Sequence, residues 1–156
     1  MPEFQIHNSP FFDVREWVDE RTWGILGPKA AWQIDPRIVK IADMIREISG
    51  RGVMVNNWHY WKAGAKYRSS GLRAKWDNTG AQLSQHRRGC AADLKVTGLT
   101  PAQVFDLIQA NKAAFLSAGL TTIENLKFTA SWLHVDCRPA LAGVHPDGEF
   151  LIVDPA

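Results

Sequence analysis

Apolar residues recur at three- and four-residue steps from Ile38 through Ile41, Ala42 and Ile45 to Ile48, the spacing of one buried helical stripe. Asp35-Pro36 supplies a cap and a first-turn proline for this helix, and Gly50 and Gly52 close it. A second stripe, Val104, Leu107, Ile108 and Phe115, follows the capping box Thr100-Pro101-Ala102-Gln103 and predicts a helix running to Gly119. Upstream, Ser9-Pro10 ahead of Phe11, Phe12, Val14, Trp17 and Val18 predicts a short capped helix. Residues 23–33, interrupted by Gly24, Gly27 and Pro28, predict a connecting loop.

Short apolar runs at 53–55, 91–96, 121–124, 127–129 and 133–137 predict strands, and 150–153 predicts an edge strand. Between the first two lies a polar, Trp- and Gly-rich stretch at 56–85, and ordered loops of that length usually carry function. Helices come first and strands later, without regular alternation. The fold class expected is therefore α+β, a small antiparallel sheet packed against helices in a single domain spanning 1–156.

Composition narrows the function classes. A chain of 156 residues buries a core without needing disulfides or a structural metal. Apolar residues at 46% and charged residues at 22% exclude a disordered chain. A net charge of +2 argues against a dedicated nucleic-acid binder but does not hinder approach to an anionic polymer such as a cell wall. No run is long enough to span a membrane, and the first residues lack the basic and apolar regions of a secretory signal. Cytoplasmic synthesis is expected, with Cys90 and Cys137 as packed free thiols, zinc ligation and a disulfide being the alternatives. Of the seven tryptophans, Trp58, Trp61 and Trp76 lie nearest the candidate chemistry and are the expected exceptions to core packing.

That chemistry sits in two segments. Ser84-Gln85-His86-Arg87-Arg88-Gly89-Cys90-Ala91-Ala92-Asp93-Leu94 offers an imidazole and a carboxylate, with a glycine that permits a turn between them. Trp132-Leu133-His134-Val135-Asp136 offers a second imidazole on a strand. Alternation along that strand places His134 and Asp136 on one face and turns Val135 and Cys137 inward. Two imidazoles and a carboxylate form a set that holds a catalytic zinc with its fourth position open. Either pair alone is weak, because chance supplies many; the joint pattern is specific.

The joint pattern Ser-x-His-x-x-Gly-x-Ala-x-Asp-Leu with Trp-x-His-x-Asp resembles the zinc D-alanyl-D-alanine carboxypeptidases and dipeptidases. That superfamily includes phage L-alanyl-D-glutamate endolysins, murein endopeptidases and hedgehog-type domains. The resemblance covers about half the chain, residues 53–137. It implies the fold of that superfamily, Zn2+ as cofactor, and His86, Asp93 and His134 as its ligands. The family's Ser-Gly-Tyr-Arg appears as Ser70-Gly71-Leu72-Arg73, which implies that Arg73 contacts substrate and developing negative charge, with Ser84 at the family's site serine.

The chain departs from the family at Ser131, where many relatives carry a carboxylate three residues before the last zinc histidine. Asp136, on the face of His134, is the first substitute expected; Glu124, on a neighbouring strand, is the second, and His59 in the long loop the third. The activity implied is a zinc peptidase cutting peptidoglycan stem or cross-link peptides. Zinc makes hydroxide available near neutral pH, Arg73 steadies the oxyanion and a carboxylate relays the proton. Its partner would be the peptide substrate, its state a monomer, its place the cell wall after a phage-like release. The rival expectations are a zinc-stabilised binding or structural module on the same fold and a zinc hydrolase acting on a non-peptide amide.

Overall fold

A computed structural model describes residues 1–155. Helix α1, Glu20–Leu26, is capped by the Asp19 side chain, and α2, Pro36–Ser49, starts at Asp35 and ends at a left-handed Gly50. Strand β1, Val53–Met54, precedes the long loop; β2 is Ala91–Val96. Helices α3, Pro101–Ala110, and α4, Lys112–Ala118, lead to β3, Thr122–Glu124, β4, Leu133–Asp136, and β5, Leu151–Val153. The strands form one mixed sheet ordered β1-β2-β4-β3-β5. Its neighbours are antiparallel except β3 and β5, which run parallel.

The single α+β domain agrees with the sequence; several details differ. Residues 9–12 are irregular, and the apolar cluster around them is locked instead by a 3-10 turn, Val14–Glu16, with Asp13 and Glu16 forming a capping box. The expected loop at 23–33 is helical: α1 runs into a second 3-10 segment, Gly27–Gln33. The Asp19 cap outweighs Gly24, which faces open space. The expected single helix to Gly119 breaks at Asn111 into α3 and α4. Residues 127–129 are no strand, since Asn125 caps a 3-10 turn, Leu126–Phe128. The sheet is mixed because the chain returns after β4 to lay β5 parallel to β3.

One core underlies the sheet. Ala92, Leu94 and Val96 of β2, Leu133 and Val135 of β4, and Ile123 of β3 point into it. They meet Ile38, Ile41, Ala42 and Ile45 of α2 and Val104 and Ile108 of α3, all buried. Phe12 and Trp17 pack edge to face at 5.7 Å and seal one end. Alternation sends Asp93, His134 and Glu124 to the other face of the sheet. Over that face folds the long loop.

Candidate metal centre

The site is a row across three strands. Asp93 of β2 and His134 of β4 are direct cross-strand partners, close enough for side chains to meet. The β3 register, Thr122 opposite Asp136 and Ile123 opposite Val135, brings Glu124 beside His134 on its other flank. His86 arrives from a 3-10 turn, Gln85–Arg88, capped by the Ser84 side chain. Gly89 then turns the chain into β2 at φ +69°, with its Cα against the Gln33 carbonyl, where any Cβ would collide.

A second segment stitches the ligands together. Ser70 accepts the Asp93 N–H at its carbonyl (2.8 Å), Gly71 receives His86 Nδ1 (2.8 Å), and Arg73 donates its N–H to the His86 carbonyl (3.0 Å). Leu72 N–H bonds the Trp17 carbonyl at 2.8 Å, and a Cβ on Gly71 would collide with that same carbonyl. Ser70-Gly71-Leu72-Arg73 is thus a backbone clamp as well as the carrier of a cation.

His86 Nε2, His134 Nδ1 and Asp93 Oδ1 form a triangle with edges of 3.2, 3.0 and 3.2 Å. Tetrahedral bonds of about 2.0 Å to zinc place donors about 3.3 Å apart, so three side chains already sit at coordination spacing. Their outer partners set the chemistry of the inner atoms. His86 Nδ1–H donates to the Gly71 carbonyl, and His134 Nε2–H donates to Asp136 Oδ2 at 3.1 Å. Those bonds leave a lone pair on each inward nitrogen, facing the Asp93 oxygen. Three acceptors converging on one point are matched by a cation between them. The group of His86, Asp93 and His134 is thus able to hold a metal.

Without a metal a proton takes that role. Burial works against charge on His134, but the hydrogen bonds it donates to Asp136 and Asp93 outweigh it and raise its pKa to about 9. Burial likewise opposes ionisation of Asp93, yet hydrogen bonds from His134 and His86 hold its carboxyl well below the usual range.

The carboxylates expected as substitutes separate in space. Asp136 is fully buried, on the far side of the His134 ring from the triad. Arg138 occupies it in a two-pronged pair, Nε to Oδ1 at 2.8 Å and Nη2 to Oδ2 at 2.6 Å. Burial raises the Asp136 pKa, but Arg138 and His134 win and hold it low. With its oxygens engaged, Asp136 orients a ligand and has no free position for carrying a proton. Glu124 Oε2 lies 3.8 Å from His134 Nδ1, on the triad side. His59 is elsewhere, in a hollow with Phe11, Glu16, Arg46 and Tyr60. Ser131 is exposed.

The triad opens into a cleft of about 370 Å³ walled by Arg73, Ser84, Glu124, Trp132 and Arg138. Among the described residues Arg73 forms no ion pair with a carboxylate: its Nε is buried without a hydrogen bond and its Nη1 reaches only Ser84 Oγ at 3.5 Å. Ser84 serves mainly as the cap of the His86 turn. Trp76 lies beside Arg73, whereas Trp58 and Trp61 bond the Val18 and Gly64 carbonyls away from the triad. Cys90 and Cys137 are buried free thiols. Sequence reasoning passed over Trp132 as a wall and Arg138 as the brace of Asp136. Carrying the two-residue alternation of His134 and Asp136 one step further would have reached Arg138.

No family model, curated protein or solved structure matches the chain. Fold and site together define a small α+β protein with a His86, Asp93 and His134 triad able to hold a metal at the base of an arginine-flanked cleft.

Proposed function

We propose that the protein is a zinc-dependent peptidase acting on peptide bonds of peptidoglycan stem or cross-link peptides, built on the fold of the D-alanyl-D-alanine peptidase and hedgehog-type superfamily. The observation that carries this reading is the triad with an uncommitted carboxylate, Glu124, 3.8 Å from one ligand and on the cleft side. A structural metal site is closed by four protein donors, whereas three donors beside a cleft leave a position for water.

Zinc held there supplies a water with its pKa lowered toward about 7 and a polarised scissile carbonyl. The chain's own residues do the rest. Glu124 takes the proton from the attacking water and passes it to the leaving amine, the task the family gives to a carboxylate nearer the last histidine. Arg73, which forms no ion pair among the described residues, steadies the negative charge that develops on the carbonyl oxygen. Asp136 and Arg138 fix the tautomer and tilt of His134, and the Gly71 carbonyl does the same for His86.

The test pairs metal content with products. Purified protein should carry about one zinc, and His86→Ala should carry none. Wild type should solubilise cell-wall sacculi with new amino termini appearing, and His86→Ala should not. Sacculi that are bound but yield no new termini would replace the enzyme with a non-catalytic zinc-stabilised binding module.

A further inference from the structure

Building on the peptidase reading, we propose that the substrate surface continues past Arg73 into a second cleft, and that this cleft receives an acidic residue of the bound peptide. Arg73 lines both the metal-centre cleft and a neighbouring one of about 470 Å³, so the two share a wall. The second cleft also presents Lys75, Trp76 and Arg87, beside Leu26 and Leu72, and among the described residues no aspartate or glutamate lines it.

Arg87 is held in place without being neutralised. Arg87 donates to three backbone carbonyls, those of Ala81 (3.2 Å), Ala74 (3.1 Å) and Asp77 (2.7 Å). That knot ties the loop while leaving the guanidinium charge intact. Lys75 is exposed and has no ion-pair partner among the described residues. Two acids lie nearby and both are committed: Asp77 to the Ser69 hydroxyl and the Thr79 N–H, and Asp19 to the Thr22 N–H and hydroxyl and to Trp76 Nε1 at 3.4 Å. Trp76 is propped from the opposite hollow by Arg21, 4.6 Å from its ring centre, which keeps its cleft side clear.

The charge balance of the chain says the same. Residues 56–90 carry seven lysines and arginines against the single acid Asp77, although the whole protein is only +2. Positive charge is thus gathered in the loop that covers the metal centre, and the rest of the chain is net acidic. Such a field favours an anionic ligand and draws it toward the cleft. An aromatic wall and unneutralised cations within one groove fit an extended peptide bearing a carboxylate side chain near the bond to be cut. A neutral peptide gains nothing from them.

Binding is measured with the zinc-loaded Glu124→Gln protein, by calorimetry, using blocked alanine tetrapeptides that carry one glutamate at each position in turn, and their glutamine counterparts. At one position glutamate should bind about 10-fold more tightly than glutamine, and the preference should vanish in 0.5 M salt. Lys75→Glu should remove that preference; Lys62→Glu, the same charge change on the exposed part of the loop, should leave it. Equal binding of the two peptides, or equal losses from both substitutions, would overturn the cleft assignment. So would an oligothymidylate that binds more tightly with the same Lys75 dependence. The peptidase reading is judged separately. Wild-type cleavage of glutamate and glutamine peptides at equal efficiency retains the enzyme and removes this cleft. Lys75-dependent binding without any cleavage by wild type retains the cleft and removes the enzyme.

Discussion

At the scale of residues, the centre works by assigning protons. Each imidazole spends its outer N–H on a protein oxygen, so each inner nitrogen has only a lone pair to offer. Glu124 and Asp136 show how two carboxylates beside one histidine acquire separate duties by placement. Asp136, fully buried and clasped by Arg138, acts on the ring from behind; Glu124 faces the cleft. Glu124→Gln should therefore lower kcat by about 100- to 10,000-fold, the range for losing a proton carrier, while zinc content stays at one. Loss of zinc in that variant would instead make Glu124 a ligand. Asp136→Asn should keep the fold and weaken zinc by about 10- to 100-fold, read by competition with a chromophoric chelator. An unchanged affinity would show that His134 needs no orienting charge.

At the scale of elements, two glycines bring ligands from distant segments to one point. Gly89 is the more exposed to test, because it combines a left-handed φ with a backbone wall at its Cα. Gly89→Ala should cost about 1–3 kcal/mol in strain alone, with a further loss from displacing the Gln33 carbonyl at the end of the 3-10 segment. The same variant should release zinc more readily, since His86 hangs on that turn; chemical denaturation and chelator titration check both. Much of this level was legible from side-chain pattern. The caps at Asp35 and Thr100 and the stripe of α2 announce themselves, because they depend on neighbours in sequence. The triad was legible only jointly: His86 with Asp93, or His134 with Asp136, is a pair that chance supplies often, and the combination resembling a family pattern is what singled the three residues out. What depended on distant contacts was not. Helix α1 is hidden by Gly24 and Gly27, and the parallel placement of β5 needs a chain return that no local pattern encodes. Asp136 was overvalued as a proton carrier because its burial and its pairing with Arg138 are tertiary facts.

At the scale of the whole molecule, the metal site and the stability of the fold become one quantity. The metal-free protein holds a proton on His134 far more tightly than the unfolded chain does, about 9 against an ordinary 6.5. A raised histidine pKa contributes stability that is fully present below pH 6.5 and is lost as the pH climbs through 9. The amount involved is up to about 3 kcal/mol. Asp93 acts in the opposite sense, its low pKa adding stability above its ordinary 3.8 and losing it in acid. On the proposed zinc reading the metal would substitute for the His134 proton, so the loaded protein should not share the alkaline loss, and metal binding should release a proton at neutral pH. Glu16, whose carboxyl burial pushes up to about 7, destabilises both forms alike as the pH rises and so cancels in the comparison. The gap in Tm between zinc-loaded and chelator-treated protein should therefore widen steadily from pH 6 to pH 9. Thermal melts at matched ionic strength measure it directly. A gap that stays constant across that range would mean that no proton is exchanged for metal at His134, and the lone-pair arrangement on which the centre is built would have to be abandoned.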